Sequence, residues 1–131
     1  MNRTSSVGIA DDPIGHDRPY AVPLLFKDAR TLYERGVRIG AGSDTQGSAM
    51  RFGGGLVDEL ERLTRAGLSA RAALLAATRD AARALRLDDQ LGSIAVGMTA
   101  DLLIVDGTPW EQVTALRNVR AVIQDGQRVV P

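Results

Sequence analysis

The sequence has no cysteine and a single histidine, His16. Without thiols there is no disulfide framework, no thiolate metal site and no cysteine nucleophile, which favours a reducing compartment. Net charge is absent as well: 16 basic residues stand against 16 acidic ones, so nothing draws the chain electrostatically to nucleic acid or to an anionic membrane surface. No apolar run approaches the ~20 residues needed to cross a bilayer. The opening MNRTSSVGIADDPIGHDRP lacks the apolar core of a signal peptide. The expectation is a cytoplasmic protein with no nucleic-acid and no membrane partner. What is present, 44% hydrophobic and 24% charged residues over 131 positions, fits one ordinary globular domain.

Residues 1–21 are rich in Gly, Pro, Asp and Ser without a sustained period and read as a loop or disordered lead-in. From Val22 the pattern becomes helical: Leu24, Leu25, Ala29, Leu32 and Tyr33 recur at that spacing, and Gly36 supplies a stop. The β-branched run from Val37 through Asp44 predicts a strand with a polar tip, and Thr45 to Gly55, with four glycines, an exposed loop. A helix with Leu56, Val57, Leu60 and Leu63 on one face follows, carrying Asp58/Arg62 and Glu61/Arg65 as i,i+4 pairs and closing at Gly67. Ser69 is placed to cap a third helix to Thr78, and Thr78 a fourth to Leu87, both alanine-rich. The tail turns β-rich: Ala100 to Val105 is nearly all apolar, and Val119 to Val130 reads as two strands around the hairpin dipeptide Asp125-Gly126.

Taken in order, these segments resemble the amidohydrolase superfamily, in particular its imidazolonepropionase-like and prolidase-like metal-dependent hydrolases. The stretch Gly36 to Asp44 is similar to the family's last barrel strand. The specificity comes from the motifs downstream of that strand: Asp58-Glu59-Leu60, Ala66-Gly67-Leu68-Ser69, Ala77-Thr78-Arg79-Asp80-Ala81-Ala82-Arg83, Leu91-Gly92-Ser93-Ile94-Ala95-Val96-Gly97, Ala100-Asp101-Leu102 and Asp125-Gly126. The resemblance implies an α/β fold class: the C-terminal fragment of a (β/α)₈ TIM-like barrel plus C-terminal strands of a small β-sandwich. Residues 22–90 would be the last α/β part of the barrel and residues 91–131 the β-rich segment of the composite sandwich. A full barrel takes ~250 residues. Two departures from the family pattern lie away from the chemistry: Met98 stands at a common lysine position, and Ser69-Ala70-Arg71-Ala72 at a common Thr-Pro-x-Glu.

By the same resemblance Asp44 is the catalytic residue and a metal ligand, accepting the proton of the attacking water. Strand-end position alone leaves a turn-capping Asp equally open; the family order favours catalysis. Ser43, Thr45 and Gln46 flank it as substrate-binding candidates, although small polar residues at a strand end also serve as turn formers. The cofactor implied is a divalent metal, zinc, in the complete enzyme and none held by this chain alone, because the family's other metal ligands lie on earlier strands. His16 reads as a solvated loop residue, Gly53-Gly54-Gly55 as a hinge rather than a phosphate loop, and Asp101 and Asp106 as turn caps at the ends of a strand.

Two functions are open. The chain is the C-terminal part of a hydrolase of C–N bonds in a small-molecule substrate (a non-peptide amide, cyclic amide or dipeptide-like compound), with the missing N-terminal barrel portion or a second copy as partner. Alternatively it is a non-catalytic fragment or partner-binding domain derived from such an enzyme. Both leave the strand from Val37 to Ala41 without flanking strands, so the chain on its own is expected to self-associate or partly unfold. Size-exclusion chromatography and thermal melting test this; a soluble monomer with one sharp transition would overturn it.

Overall fold

A computed structural model describes residues 21–43 and 54–130. Four α-helices come first: α1 (Ala21–Glu34), α2 (Gly55–Arg65), α3 (Ala70–Ala77) and α4 (Arg79–Ala84). Three strands come after them, β1 (Leu102–Val105), β2 (Val119–Gln124) and β3 (Gln127–Val130), with a 3₁₀-helix, Val113–Arg117, between β1 and β2. The mixed α/β character matches the expectation from sequence. No helix among the described residues is long and apolar enough to cross a membrane.

Three of the four helices, α1, α2 and α4, are stopped by one device. After α1, Gly36 takes φ +81° while its N–H donates to the Tyr33 carbonyl (2.9 Å) and that of Val37 to Leu32 (3.0 Å). After α2, Gly67 at φ +104° donates to Thr64 (3.0 Å) and Leu68 to Leu63 (3.1 Å). These paired bonds are a left-handed cap that satisfies the last carbonyls, and in the second case Leu63 and Leu68 are both buried beneath it. The third instance carries no glycine: Arg86, at φ 59°, closes α4 with the same pair of bonds, to Arg83 and from Leu87 to Ala82. It ends α4 at Ala84, earlier than the predicted Leu87.

Ser69 caps α3 as expected, its Oγ accepting from the Ala72 N–H at 3.1 Å. Thr78 differs from expectation. It occupies the N-cap position of α4 but makes no cap hydrogen bond; its hydroxyl donates back to the Leu74 carbonyl at 2.8 Å. A threonine immediately after one helix and before the next has both choices, and here the back-bond is made.

Alanine gives α3 a thin face. Ala72, Ala73 and Ala76 are buried there with Leu60 and Leu63 of α2, Leu68 and Val113 of the 3₁₀-helix, and this cluster is the core. Of the predicted α2 stripe, Leu60 and Leu63 are buried, while Val57 is half-buried and Leu56 is exposed. Glu61 and Arg65 pair at 3.7 Å as predicted; Arg62 reaches Glu59 at 3.5 Å.

The sheet is antiparallel in the order β1-β2-β3. Asp125 and Gly126 both have positive φ, 49° and 76°, the requirement of a two-residue hairpin whose twist matches the strands it joins. Asp101 closes this turn from the neighbouring strand end, its Oδ1 accepting from the Asp125 N–H at 2.8 Å. Asp106 departs from the predicted turn cap: its carboxylate pairs with Arg120 of β2 at 2.6 Å. Among the described residues there is this one sheet and no second sheet facing it.

The predicted strand from Val37 to Asp44 is the main correction. Residues 37–43 join no sheet among the described residues. From Arg38 on they keep the two-residue alternation of an extended chain, with Ile39, Ala41 and Ser43 partly buried and Arg38, Gly40 and Gly42 exposed; Val37 is exposed as well. A hydrogen-bond ladder needs a neighbouring strand whereas side-chain alternation needs only an extended backbone, so the pattern persists where the ladder does not.

Between α4 and β1 the chain turns at Gly92, whose backbone presses on the α3–α4 junction. A Cβ there would lie 2.7 Å from Ala82 Cβ, 2.9 Å from the Thr78 carbonyl oxygen and 3.0 Å from Arg79 Cα, and φ is +85°. Two of those atoms are backbone and cannot move aside. Gly92→Ala is therefore expected to destabilise by about 2–4 kcal/mol, seen in circular dichroism as a midpoint lower by roughly 10 °C or more. An unchanged midpoint would show that the turn is not packed as described.

Candidate functional site

The site begins at the C-terminal cap of α1, which throws the chain into residues 37–43. That segment is anchored on the helices by a hydrogen bond from the Ala41 N–H to the Ala76 carbonyl (2.9 Å) and by Ile39 and Ala41 packing against the core. Gly40 passes over α4, where a Cβ would come within 4.0 Å of Ala81 Cα. Small residues on both sides allow the segment to lie close to α3 and α4.

Of the predicted site residues, Ser43 alone is among the described residues, partly buried at the end of this segment. Asp44, Thr45 and Gln46 lie outside the described residues, as do His16 and Gly53 of the glycine run. Gly54 precedes α2 without a side-chain cap, and Gly55, predicted as loop, is the first residue of the helix and is buried. Gly54-Gly55 thus starts a helix whose first turn has no capping side chain.

Two open cavities flank residues 36–40. One, about 470 Å³, lies between Val37, Ile39 and the α3–α4 surface, with Leu68, Ala76 and Arg79 on its far wall. The other, about 460 Å³, is polar, lined by Arg38, Gly40, Asp80, Arg83 and Asp88. Neither is lined by Ser43. The carboxylate in both, Asp80, is already engaged by Arg79 (3.3 Å) and Arg83 (3.5 Å). A carboxylate held between two guanidinium groups is occupied structurally and is poorly placed to exchange protons with a substrate.

Among the described residues no three or more His, Asp or Glu side chains come together in a group able to hold a metal. The described residues therefore do not by themselves fit the zinc that the family resemblance implies, and a site with three protein ligands needs residues from outside them.

Sequence reasoning missed one cluster. Arg117, at the end of the 3₁₀-helix, donates to Glu61 from Nε (3.1 Å) and Nη2 (2.7 Å), and also from Nη2 to Asp58. The hydrogen bonds to Asp58 and Glu61 raise the guanidinium above its ordinary pKa. It stays cationic at every working pH. No local signal announces the cluster, because its members stand 56 and 59 positions apart.

Comparison with known proteins agrees with this architecture. The model of the amidohydrolase family matches residues 26–129. Adenine deaminase 4 of Rhizobium meliloti (strain 1021) is 35% identical over 113 residues, covering 82% of this chain and 19% of that protein. Imidazolonepropionase of Rubrobacter xylanophilus is 33% identical over 107 residues, covering 79% of this chain and 26% of that protein. Among solved structures, a Xaa-Pro dipeptidase with bound methionine in the active site superposes with a TM-score of 0.74 at 36% identity, covering 83% of this chain and 26% of that one. The chain thus spans about a fifth to a quarter of the length of the relatives it matches. With the family model running from within α1 to the last strand, and relatives above 30% identity across the same elements, the chain belongs to the amidohydrolase family.

Proposed function

We propose that residues 22–90 form the last α/β part of an amidohydrolase barrel and residues 91–131 the β-rich C-terminal segment of its small β-sandwich. Asp44 is the group through which this chain takes part in hydrolysing a C–N bond. The observation that carries the reading is the family match over residues 26–129, within which Asp44 comes directly after the extended segment 37–43. The alternation along that segment supports it. Ile39, Ala41 and Ser43 are the more buried set.

In this role the Asp44 carboxylate accepts a proton from the attacking water and returns it to the departing nitrogen, so that a neutral amine leaves. Ser43, Thr45 and Gln46 beside it hold the substrate. Asp44 would be one ligand of a divalent metal, zinc, with the others supplied from elsewhere in the complete enzyme, and the metal would acidify the attacking water. The relatives include a deaminase, an imidazolonepropionase and a Xaa-Pro dipeptidase, which keeps the substrate class broad: an amide, a cyclic amide or a dipeptide-like molecule.

The partner in this reading is the remainder of the barrel. The main-chain groups of Arg38, Ile39 and Gly40 make no hydrogen bond among the described residues, and a flanking strand would pair with them.

The test uses the active complete enzyme, either expressed as one longer chain or reconstituted from this chain and a complementary fragment. Asp44→Asn keeps the shape and removes the base: turnover should fall ~10² to 10⁴-fold, with folding unchanged. That corresponds to ~3 to 5 kcal/mol of transition-state stabilisation. Asp101→Asn, in the hairpin closure, should leave turnover nearly intact. Two equally harmless substitutions, or a larger loss from Asp101→Asn, would remove Asp44 from the chemistry.

A further inference from the structure

The cluster formed by Arg117, Asp58 and Glu61 is outside everything proposed for catalysis, and its place in the fold gives it a separate role. Asp58 and Glu61 stand three residues apart on α2, on the same helix face, and the guanidinium spans both. Asp58 is in the first turn of α2, the turn that comes after Gly54 and lacks a side-chain cap. Behind the guanidinium, the 3₁₀-helix buries Val113 in the core cluster, with Leu116 packed against it. The same 3₁₀-helix packs on α2 and α3 on one side and on β1 on the other, and so joins the sheet to the helices. Gly107, just after β1, backs onto it closely: a Cβ there would lie 3.2 Å from Ala115 Cβ.

We propose that Arg117 is a latch that fixes the C-terminal sheet unit to the first turn of α2, so that release of the sheet and fraying of that turn are one event. The apolar plug of Val113 and Leu116 provides attraction without direction. The forked guanidinium, with its donors in a rigid plane, provides the orientation. A latch of this kind makes the start of α2 depend on a residue more than fifty positions away. This role is independent of the chemistry assigned to Asp44.

The experiment is residue-resolved amide hydrogen exchange on this chain within the active enzyme, expressed as one longer chain or reconstituted with a complementary fragment. Arg117→Gln should speed exchange about three- to tenfold at Asp58, Glu59 and Leu60 of α2 and at Ala121 to Ile123 of β2, and leave Ala73 and Ala76 of α3 unchanged. Combining Arg117→Gln with Asp58→Asn should speed exchange at these residues by less than the product of the two separate effects, since both remove the same contact. A residue that merely adds stability would raise exchange evenly, α3 included. Where Arg117→Gln prevents folding, the unmodified chain at roughly 1 M salt, with a screening length of about 3 Å, should show the same local pattern. Uniform acceleration, no acceleration, or acceleration of α2 without β2 would each overturn the latch.

Discussion

The fold depends on how closely α3 can be approached. Its buried positions are Ala72, Ala73 and Ala76, side chains of one carbon, so three different pieces of chain come in against a single eight-residue helix. Leu60 and Leu63 of α2 fill one side, Val113 another, and the extended segment carrying Ile39 and Ala41 lies along a third, near enough for a main-chain hydrogen bond to Ala76. A larger residue at Ala73, which has no exposed surface, would push all three apart at once, because packed interiors do not yield to an added methylene without shifting their neighbours. Among the described residues, the segment that leads to Asp44 therefore takes its position from an alanine stripe.

Much of the helical part was legible because its signals are local. Gly36, Gly67 and Ser69 announce helix ends through chemistry that needs only adjacent residues, and the structure uses all three. The hairpin at Asp125-Gly126 is legible for the same reason. Arg86 was not, since nothing in its side chain advertises a left-handed backbone; it adopts one because the cap bonds at the end of α4 require it. Thr78 was misread because its hydroxyl had two competing partners of similar worth, and sequence does not rank them.

Residues 37–43 were half legible. The alternation of side chains is written in the sequence and is present; the ladder depends on strands that local patterning cannot supply. The candidate site is legible in yet another sense. Asp44 stands out by its order among motifs that run the length of the chain, and not by any local geometry. The cluster at Arg117 lay beyond any such reading, since surface ion pairs between distant residues leave no periodic trace.

The connection between α4 and β1 has a further meaning for how this chain tolerates change. Gly92 is wedged against the helix junction, and the Thr99 N–H is tied to the Gln90 carbonyl at 2.9 Å, so the stretch between them is a handle fastened at both feet. Ile94 and Val96 at its crest are almost wholly exposed among the described residues. Extra residues at the crest would enlarge a loop that is already closed, and the entropy of closure rises only with the logarithm of its length. Genetic insertions, tags and permuted termini would find their most permissive position there, while the same insertion one residue from Gly92 would pull the foot out of the junction.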